Sequence, residues 1–143
     1  MILLDTDHVN ILQSGGSLAA NLTDRMSASY DQDFGVTAIT IEEQMRGWLA
    51  LIHRLNNVQK QISAYARLVS LFSFFARWQI APFDQGAVDE FTRLREMRVR
   101  IGTMDVKIAA TALTNGAMLL SANLRDFEQV PGLRVENWLG SGS

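Results

Sequence analysis

Four polar residues stand where a predicted strand gives way to a helix or where a helix starts. They are Asp5, Glu43, Asp105 and Asn123, and Asp126 follows closely after the last. In a parallel sheet the carboxyl ends of the strands share one edge, so these side chains are expected to meet in one crevice. Unpaired carboxylates would repel and raise one another's pKa there, and a hard divalent cation such as Mg²⁺ or Mn²⁺ removes that repulsion. The residues therefore predict a metal-dependent phosphodiester hydrolase or a phosphoryl-transfer site.

Each of these residues also has a purely structural interpretation. Glu43 can complete a capping box that begins at Thr40, in which the glutamate reaches back to the first amide of the helix. Asp105 falls in the first turn of a predicted helix, where a negative charge favours the helix dipole. Asn123 is a common residue at a helix N-cap. For any one of these residues, the structural role is more common than a metal-binding role. The prediction of a metal site therefore depends on all four residues occurring together.

The elements that position these residues alternate between strands and helices. Residues 2–4 form a continuous apolar run, typical of a strand buried on both faces, and the run ends at Asp5. The alternation predicts one α/β domain with a mostly parallel sheet that helices cover on both faces. Predicted strands fall at 2–4, 34–39, 117–120 and 133–135, with a short third strand and its exit at 79–84. Asp7 is predicted to cap a helix through Gln13, and Ser17 a helix through Met26. Further helices are predicted at 40–55, at 58–78, from a cap at Asp84 to Gly102, and at 104–115 after a cap at Thr103.

Composition narrows the class of protein. The 143 residues suit a single domain, and no apolar run is long enough to span a membrane. We see no basic leader before the first apolar run. The absence of cysteine excludes disulfides and thiolate metal sites, and we expect a cytoplasmic protein. The terminal Gly-Ser-Gly-Ser at 140–143 is expected to be a flexible tail or a cloning scar.

The positive charge is almost entirely arginine. A formal net charge of −2 argues against a uniformly basic surface but leaves room for a local basic patch. The group that includes Arg98 and Arg100 is a candidate for holding a phosphate backbone, because arginine binds phosphate through two hydrogen bonds. Lys107 is a further candidate. The simpler alternative for this charge run is a solvated helix face.

Four stretches of the chain resemble the PIN-domain ribonucleases. In order along the sequence they are LLDTD (3–7), ITIEE (39–43) followed by Gly47, DVKIAATA (105–112), and LLSAN (119–123) followed by Asp126 and Phe127. The resemblance covers the whole chain, and the size is that of single-domain VapC-type toxins of bacterial toxin–antitoxin pairs. It implies a PIN-like three-layer α/β/α fold over residues 1–139, with a mostly parallel, twisted sheet of four or five strands.

The resemblance also implies roles for individual residues. Asp5, Glu43 and Asp105 match the family's three acidic metal-binding positions. Asn123 matches the fourth, where the family often has aspartate, so a second metal site is expected to be weaker and Asp126 becomes a substitute ligand. Two further residues, Ser121 and Thr6, are expected to support the ligands through hydrogen bonds. His8 and His53 lack a helical partner at ligand spacing and are interpreted as structural or surface residues.

The implied activity is cleavage of RNA with one or two Mg²⁺ or Mn²⁺ ions. The implied partners are an RNA substrate, a cognate antitoxin and a second copy of the chain. Apolar residues of the helices between Thr40 and Trp78 are candidates for the homodimer interface, and an antitoxin arginine is a candidate occupant of the acidic crevice.

Two alternatives remain open at this point. Residues 3–7 also look like the opening motif of haloacid-dehalogenase-type phosphatases, although the chain after Ser121 lacks their further acidic strand end. The second alternative is a PIN-like binding module that no longer cuts RNA and acts through antitoxin or RNA contacts. The amide at Asn123 is the feature that favours it, and metal-dependent cleavage separates the two.

Overall fold

Five short parallel strands form the centre of the computed structural model, which describes residues 1–140. Their order in the sheet places the first strand in the middle, with the second and third strands on one side and the fourth and fifth on the other. Each neighbouring pair is parallel. The predicted α/β fold is thus confirmed, with five strands. The strands are β1 (Ile2–Leu4), β2 (Phe34–Thr37), β3 (Gln79–Ala81), β4 (Met118–Leu120) and β5 (Val135–Glu136).

Helices cover both faces of this sheet. None of the helices in residues 1–140 is long and apolar enough to cross a membrane. The helices are α1 (Thr6–Ser14), α2 (Gly16–Ser27), α3 (Ala38–Arg54), α4 (Val58–Phe75), α5 (Gln85–Glu96), α6 (Thr103–Thr114) and α7 (Leu124–Phe127).

The core consists of two apolar clusters, one on each face of the sheet. Successive strand residues point to opposite faces, so Leu3 and Leu4 belong to different clusters, and both are fully buried. Leu3 packs with α6 residues such as Ile108, whereas Leu4 packs with Val9 of α1. Burial of each such side chain stabilises the folded state by roughly 1.5–3 kcal/mol relative to an exposed side chain. This packing on both faces fixes the position of β1, and therefore of the residue that ends it.

The start of α3 differs from the prediction. The second strand ends at Thr37, not at residue 39, and the helix begins at Ala38. The Thr37 hydroxyl oxygen accepts the Thr40 amide N–H at 3.0 Å, so Thr37 is the N-cap and the predicted capping box at Thr40 is wrong. The sequence offers two threonines three residues apart, and either can cap a helix. Glu43 is therefore in the second turn of α3 and is not engaged in capping.

Two other helix starts also move by one or two residues. The N-cap of α1 is Asp5, whose carboxylate accepts the Thr6 amide N–H at 2.8 Å, so Asp7 lies inside the helix. The N-cap of α6 is Gly102, and Thr103 is the first helical residue. Gly116 follows the end of α6 with φ +60°, as expected for a left-handed residue after a helix C-cap. Residues 141–143 of the expected tail lie outside the described residues.

Candidate active site

Asp5 ends the central strand and is held by hydrogen bonds to both carboxylate oxygens. Oδ1 accepts the Thr6 amide, and Oδ2 accepts the Ser121 hydroxyl at 2.8 Å. The residue is only 8% exposed. Burial raises the pKa of Asp5 above its ordinary value, and the nearby charge of Asp7 adds to the rise, although the two hydrogen bonds partly offset it. Asp5 is thus a fixed carboxylate that is costly to keep charged.

Glu43 faces the same crevice from α3. Its Oε1 atom is buried and has no hydrogen-bond partner among residues 1–140. Burial is the main reason that the pKa of Glu43 rises to about 7, and repulsion from Asp5 and Asp105 raises it further. A carboxylate oxygen that is buried without a donor usually marks a missing ligand, water or ion. This orphaned oxygen is the feature that fits a bound cation most directly.

Asp105 enters the crevice from the first turn of α6. Burial raises its pKa to about 6, and the charges of Asp5 and Asp126 add to the rise. Glu43 has the higher pKa of the two, and repulsion from Asp105 contributes to it. Asp105 therefore loses its proton before Glu43 does as the pH rises.

Asn123 follows β4 and lies between two of the acids. Its side-chain amide nitrogen is 3.4 Å from an Asp105 carboxylate oxygen and donates a hydrogen bond to Asp126 at 3.1 Å. It occupies the N-cap position of α7 but makes no side-chain capping bond. Asn123 thus stands at the predicted N-cap position, but its side chain contacts the acids and not the helix amides. The amide N–H group donates hydrogen bonds to carboxylates that are predicted to bind a metal. The neutral Asn123 stands where the family often has a charged aspartate.

The residues expected to support the ligands lie close to them. Ser121 is fully buried and bonded to Asp5, as described. The Thr6 hydroxyl oxygen is buried without a hydrogen-bond partner in the described part of the chain. Thr6 and Glu43 both line a cavity of about 330 Å³ between α1 and α3. Each side chain thus has a polar atom that a ligand or water could satisfy.

Asp7 and His8 also belong to this region, although the sequence predicts only a helix cap at Asp7 and a structural or surface role for His8. Asp7 accepts the Ala122 amide N–H at 2.9 Å, and His8 is fully buried and bonded to Asp7. The contact between Asp7 and Ala122 spans 115 residues of sequence. Only the adjacent aspartate and histidine in the first motif could have drawn attention to them. His53, in contrast, is exposed on α3.

The predicted RNA-binding residues are distributed over two places. Arg98 and Arg100 are exposed in the loop between α5 and α6. This loop leads into the helix that carries Asp105, and the Arg95 guanidinium donates to the Thr103 hydroxyl at 2.7 Å across it. Lys107 instead lies with its ammonium group 5.8 Å from the centre of the Phe83 ring. The two loop arginines are therefore on the same end of α6 as the acids.

The donor set fits a hard divalent cation in chemistry and in charge. Within residues 1–140 no group of three or more acidic or histidine side chains is already arranged as a metal cage. The acids nevertheless repel one another in a buried crevice, and the Glu43 Oε1 atom has no hydrogen-bond partner in this part of the chain. All the donors are oxygen atoms, which suit Mg²⁺ or Mn²⁺. Asp5, Glu43 and Asp105 are the residues that could hold such an ion.

Comparison with known proteins identifies the family. Residues 2–133 match the family model described as PIN domain. Ribonuclease VapC1 of Rickettsia felis is 31% identical over 138 residues, which cover 94% of this chain and 93% of that protein. The tRNA(fMet)-specific endonuclease VapC of Salmonella typhimurium is 28% identical over 94 residues, which cover 63% of this chain and 71% of that protein. A solved toxin–antitoxin complex from Klebsiella pneumoniae has a chain with TM-score 0.69 and 22% identity, covering 96% of this chain and 98% of that chain, which shows a shared fold. The chain therefore belongs to the PIN domain family, and within it to the VapC-type proteins.

Proposed function

We propose that this chain is a metal-dependent endoribonuclease and the toxin of a toxin–antitoxin pair. Family membership supports the nuclease activity and sets aside the phosphatase alternative. The observation that carries the metal dependence is the buried Glu43 oxygen, which has no hydrogen-bond partner in the described residues and lies in a crevice shared with Asp5 and Asp105. Such an arrangement is unfavourable without a cation and becomes favourable with one.

Asp5, Glu43 and Asp105 would hold the ion, with Asp126 or Asn123 on the side nearest Asp105. When bound, Mg²⁺ or Mn²⁺ lowers the pKa of water and neutralises charge on a scissile phosphate. The protein contributes the orientation of its ligands. The Thr6 amide and the Ser121 hydroxyl fix both oxygens of Asp5, so this carboxylate can present only its remaining lone pairs to the crevice.

Arg98 and Arg100 are proposed to bind the RNA backbone beside the acids. Both are exposed, and neither side chain makes an ion pair within residues 1–140. Arg98 adopts φ +61° because it follows the end of α5, where its N–H donates to the Arg95 carbonyl and the Val99 N–H donates to the Leu94 carbonyl. The binding proposal therefore depends on the exposure and charge of the two arginines and not on backbone strain. Lys107 is a weaker candidate, since its ammonium group already contacts Phe83.

The partners are proposed to be a cognate antitoxin and a second copy of the chain, acting with RNA in the cytoplasm. An apolar stripe on α4 supports a protein partner, because five of its large side chains are between 51% and 81% exposed. A solvated helix rarely leaves so much apolar surface in one place. The toxin–antitoxin complex with the same fold also supports an antitoxin partner. The stripe consists of Val58, Ile62, Tyr65, Val69 and Phe72.

The test is cleavage of total cellular RNA by the purified, antitoxin-free chain, with Mg²⁺ or Mn²⁺ against a chelator. Asp5→Asn and Asp105→Asn should abolish cleavage while leaving the fold intact by circular dichroism. Asp24→Asn is a matched control, because Asp24 is an exposed aspartate on α2, away from the crevice. Retained activity in Asp5→Asn would refute the assignment. No cleavage by the folded wild-type chain would favour the inactive binding module.

A further inference from the structure

A fully buried histidine joins the C-terminal segment to the first helix. His8 Nε2 accepts the backbone N–H of Trp138 at 3.1 Å. Because a backbone amide can only donate, the ring proton must lie on the other nitrogen, Nδ1, which donates to Asp7 Oδ1. This arrangement fixes a single neutral tautomer. His8 thus links two segments that are 130 residues apart in sequence.

Asp7 continues this link to the turn that follows β4. Its second oxygen, Oδ2, accepts the Ala122 amide N–H at 2.9 Å and lies 3.4 Å from the Ser121 hydroxyl. The hydrogen bonds from His8 and Ala122 therefore occupy both oxygens of Asp7 and connect the first helix to the turn.

The turn held by Asp7 is the one that orients the candidate ligands. The Ser121 hydroxyl donates to Asp5 and accepts the Asn123 amide N–H at 3.0 Å. A displacement of this turn would therefore disturb Asp5 through Ser121, and it would move Asn123 away from Asp105. The path from Asp7 to the ligands is a continuous chain of hydrogen bonds.

We propose that Asp7 and His8 are positioning residues, which hold the turn at residues 121–123 and thereby orient Asp5 for metal binding. The inference rests on the proposed metal-dependent function. Asp7 and Glu43 differ in their contacts. Both Asp7 oxygens accept hydrogen bonds, one from His8 and one from Ala122 of the turn, whereas the Glu43 Oε1 atom is buried with no donor among residues 1–140. The contacts of Asp7 therefore lead to the turn, as a positioning role requires.

The first test measures Mn²⁺ affinity by calorimetry on purified, folded variants. His8→Asn keeps an N–H donor at the δ position and should bind Mn²⁺ nearly as tightly as the wild type. His8→Gln moves its amide to the ε position and loses the bond to Asp7. His8→Gln and Asp7→Asn should each weaken Mn²⁺ binding by about tenfold to a hundredfold, the usual effect of removing a support for a metal ligand.

Val9→Ala is the matched control for a loss of packing. Val9 is a fully buried residue of the same helix and lies in the core cluster that contains Leu4, not in the hydrogen-bond chain. Its truncation should lower stability and leave Mn²⁺ affinity unchanged. The proposal is overturned if Val9→Ala weakens Mn²⁺ binding as much as Asp7→Asn does. It is also overturned if His8→Asn and His8→Gln bind Mn²⁺ equally well.

A second readout needs no metal. Amide hydrogen exchange in the presence of chelator should show faster exchange at Ala122 and Asn123 in Asp7→Asn, with Leu4 unchanged at the end of the central strand. Unchanged protection of Ala122 would overturn the positioning role. If the wild type fails to bind Mn²⁺, the proposed function fails, and the exchange result still decides whether Asp7 holds the turn.

Discussion

Replacing Glu43 by glutamine should stabilise the metal-free protein at high pH. The pKa of Glu43 is raised from 4.5 to about 7 in the folded chain. A carboxyl group with a raised pKa favours folding most below its unfolded pKa, and this stability is lost as pH rises through the folded value. Between pH 4.5 and pH 7 the folded chain therefore loses stability that a glutamine, which does not titrate, would keep.

The size of the effect follows from the pKa change. At 1.36 kcal/mol per pH unit, a rise from 4.5 to about 7 corresponds to about 3 kcal/mol. Glu43 is only about half-buried, and solvent screening reduces the effective interaction, so we expect about 1.5 kcal/mol. Glu43→Gln should thus be more stable than the wild type by ~1.5 kcal/mol at pH 8 and by much less at pH 5.

Urea unfolding at pH 5 and pH 8, with chelator present, measures both values. Glu42→Gln is the matched control, because Glu42 is the exposed neighbour and pairs with Arg46 at 2.7 Å on the helix surface. That variant should show no gain at pH 8. Excess Mg²⁺ should reverse the order, since a ligand at about 100 times its Kd adds roughly 2.7 kcal/mol to a chain that binds it. A Glu43→Gln chain that is no more stable than the wild type at pH 8, or equally more stable at pH 5, would refute the electrostatic account.

Three further outcomes can be measured. Arg98→Gly should relieve the cost of the left-handed conformation at φ +61° and raise the free energy of unfolding in urea by up to about 1 kcal/mol. The same change should reduce by about 1 the slope of log RNA affinity against log salt concentration. An unchanged RNA affinity would show that Arg98 is not part of the binding surface. Phe127→Ala should cost about 3–5 kcal/mol in urea unfolding, because the ring is fully buried in the core cluster that contains Leu3. Mn²⁺ affinity should fall as pH drops below about 7, since the ion must displace protons from Glu43 and then from Asp105, and calorimetry in buffers of different ionisation enthalpy should detect the released protons.

Much of the fold was accessible from local patterns in the sequence. The apolar run before Asp5 predicts a buried strand because every residue in it must face a packed layer, and Leu3 and Leu4 do belong to opposite clusters. The start of α3 was mispredicted because Thr37 and Thr40 are equally good caps by type. Only the fold shows that Thr37 lies at the end of a strand, with its hydroxyl facing the Thr40 amide.

The set of acids was also predictable, since it depends on which residues follow strands or begin helices. The hydrogen bonds that hold these acids in position were not predictable from the sequence. The bond from Trp138 to His8 and the bond from Ala122 to Asp7 join residues that are more than a hundred positions apart. Periodicity describes one element at a time and carries no information on which turn meets which helix. The sequence therefore predicts only a helix-capping role for Asp7. Its contact with Ala122 depends on the pairing of β4 with β1 in the folded chain.

The rigidity of the elements explains why repulsion in the crevice appears as a change in pKa. Asp105 could escape its neighbours only if α6 moved, but Val106 and Ile108 of that helix are fully buried against the sheet. Asp5 is equally fixed, because it ends the central strand and is bonded through both oxygens. Since the charges cannot separate, the crevice lowers its energy by taking up a proton or a cation. Protons and metal ions therefore compete to neutralise the same charges. We expect the packing that stabilises the fold also to favour binding of a divalent ion at neutral pH.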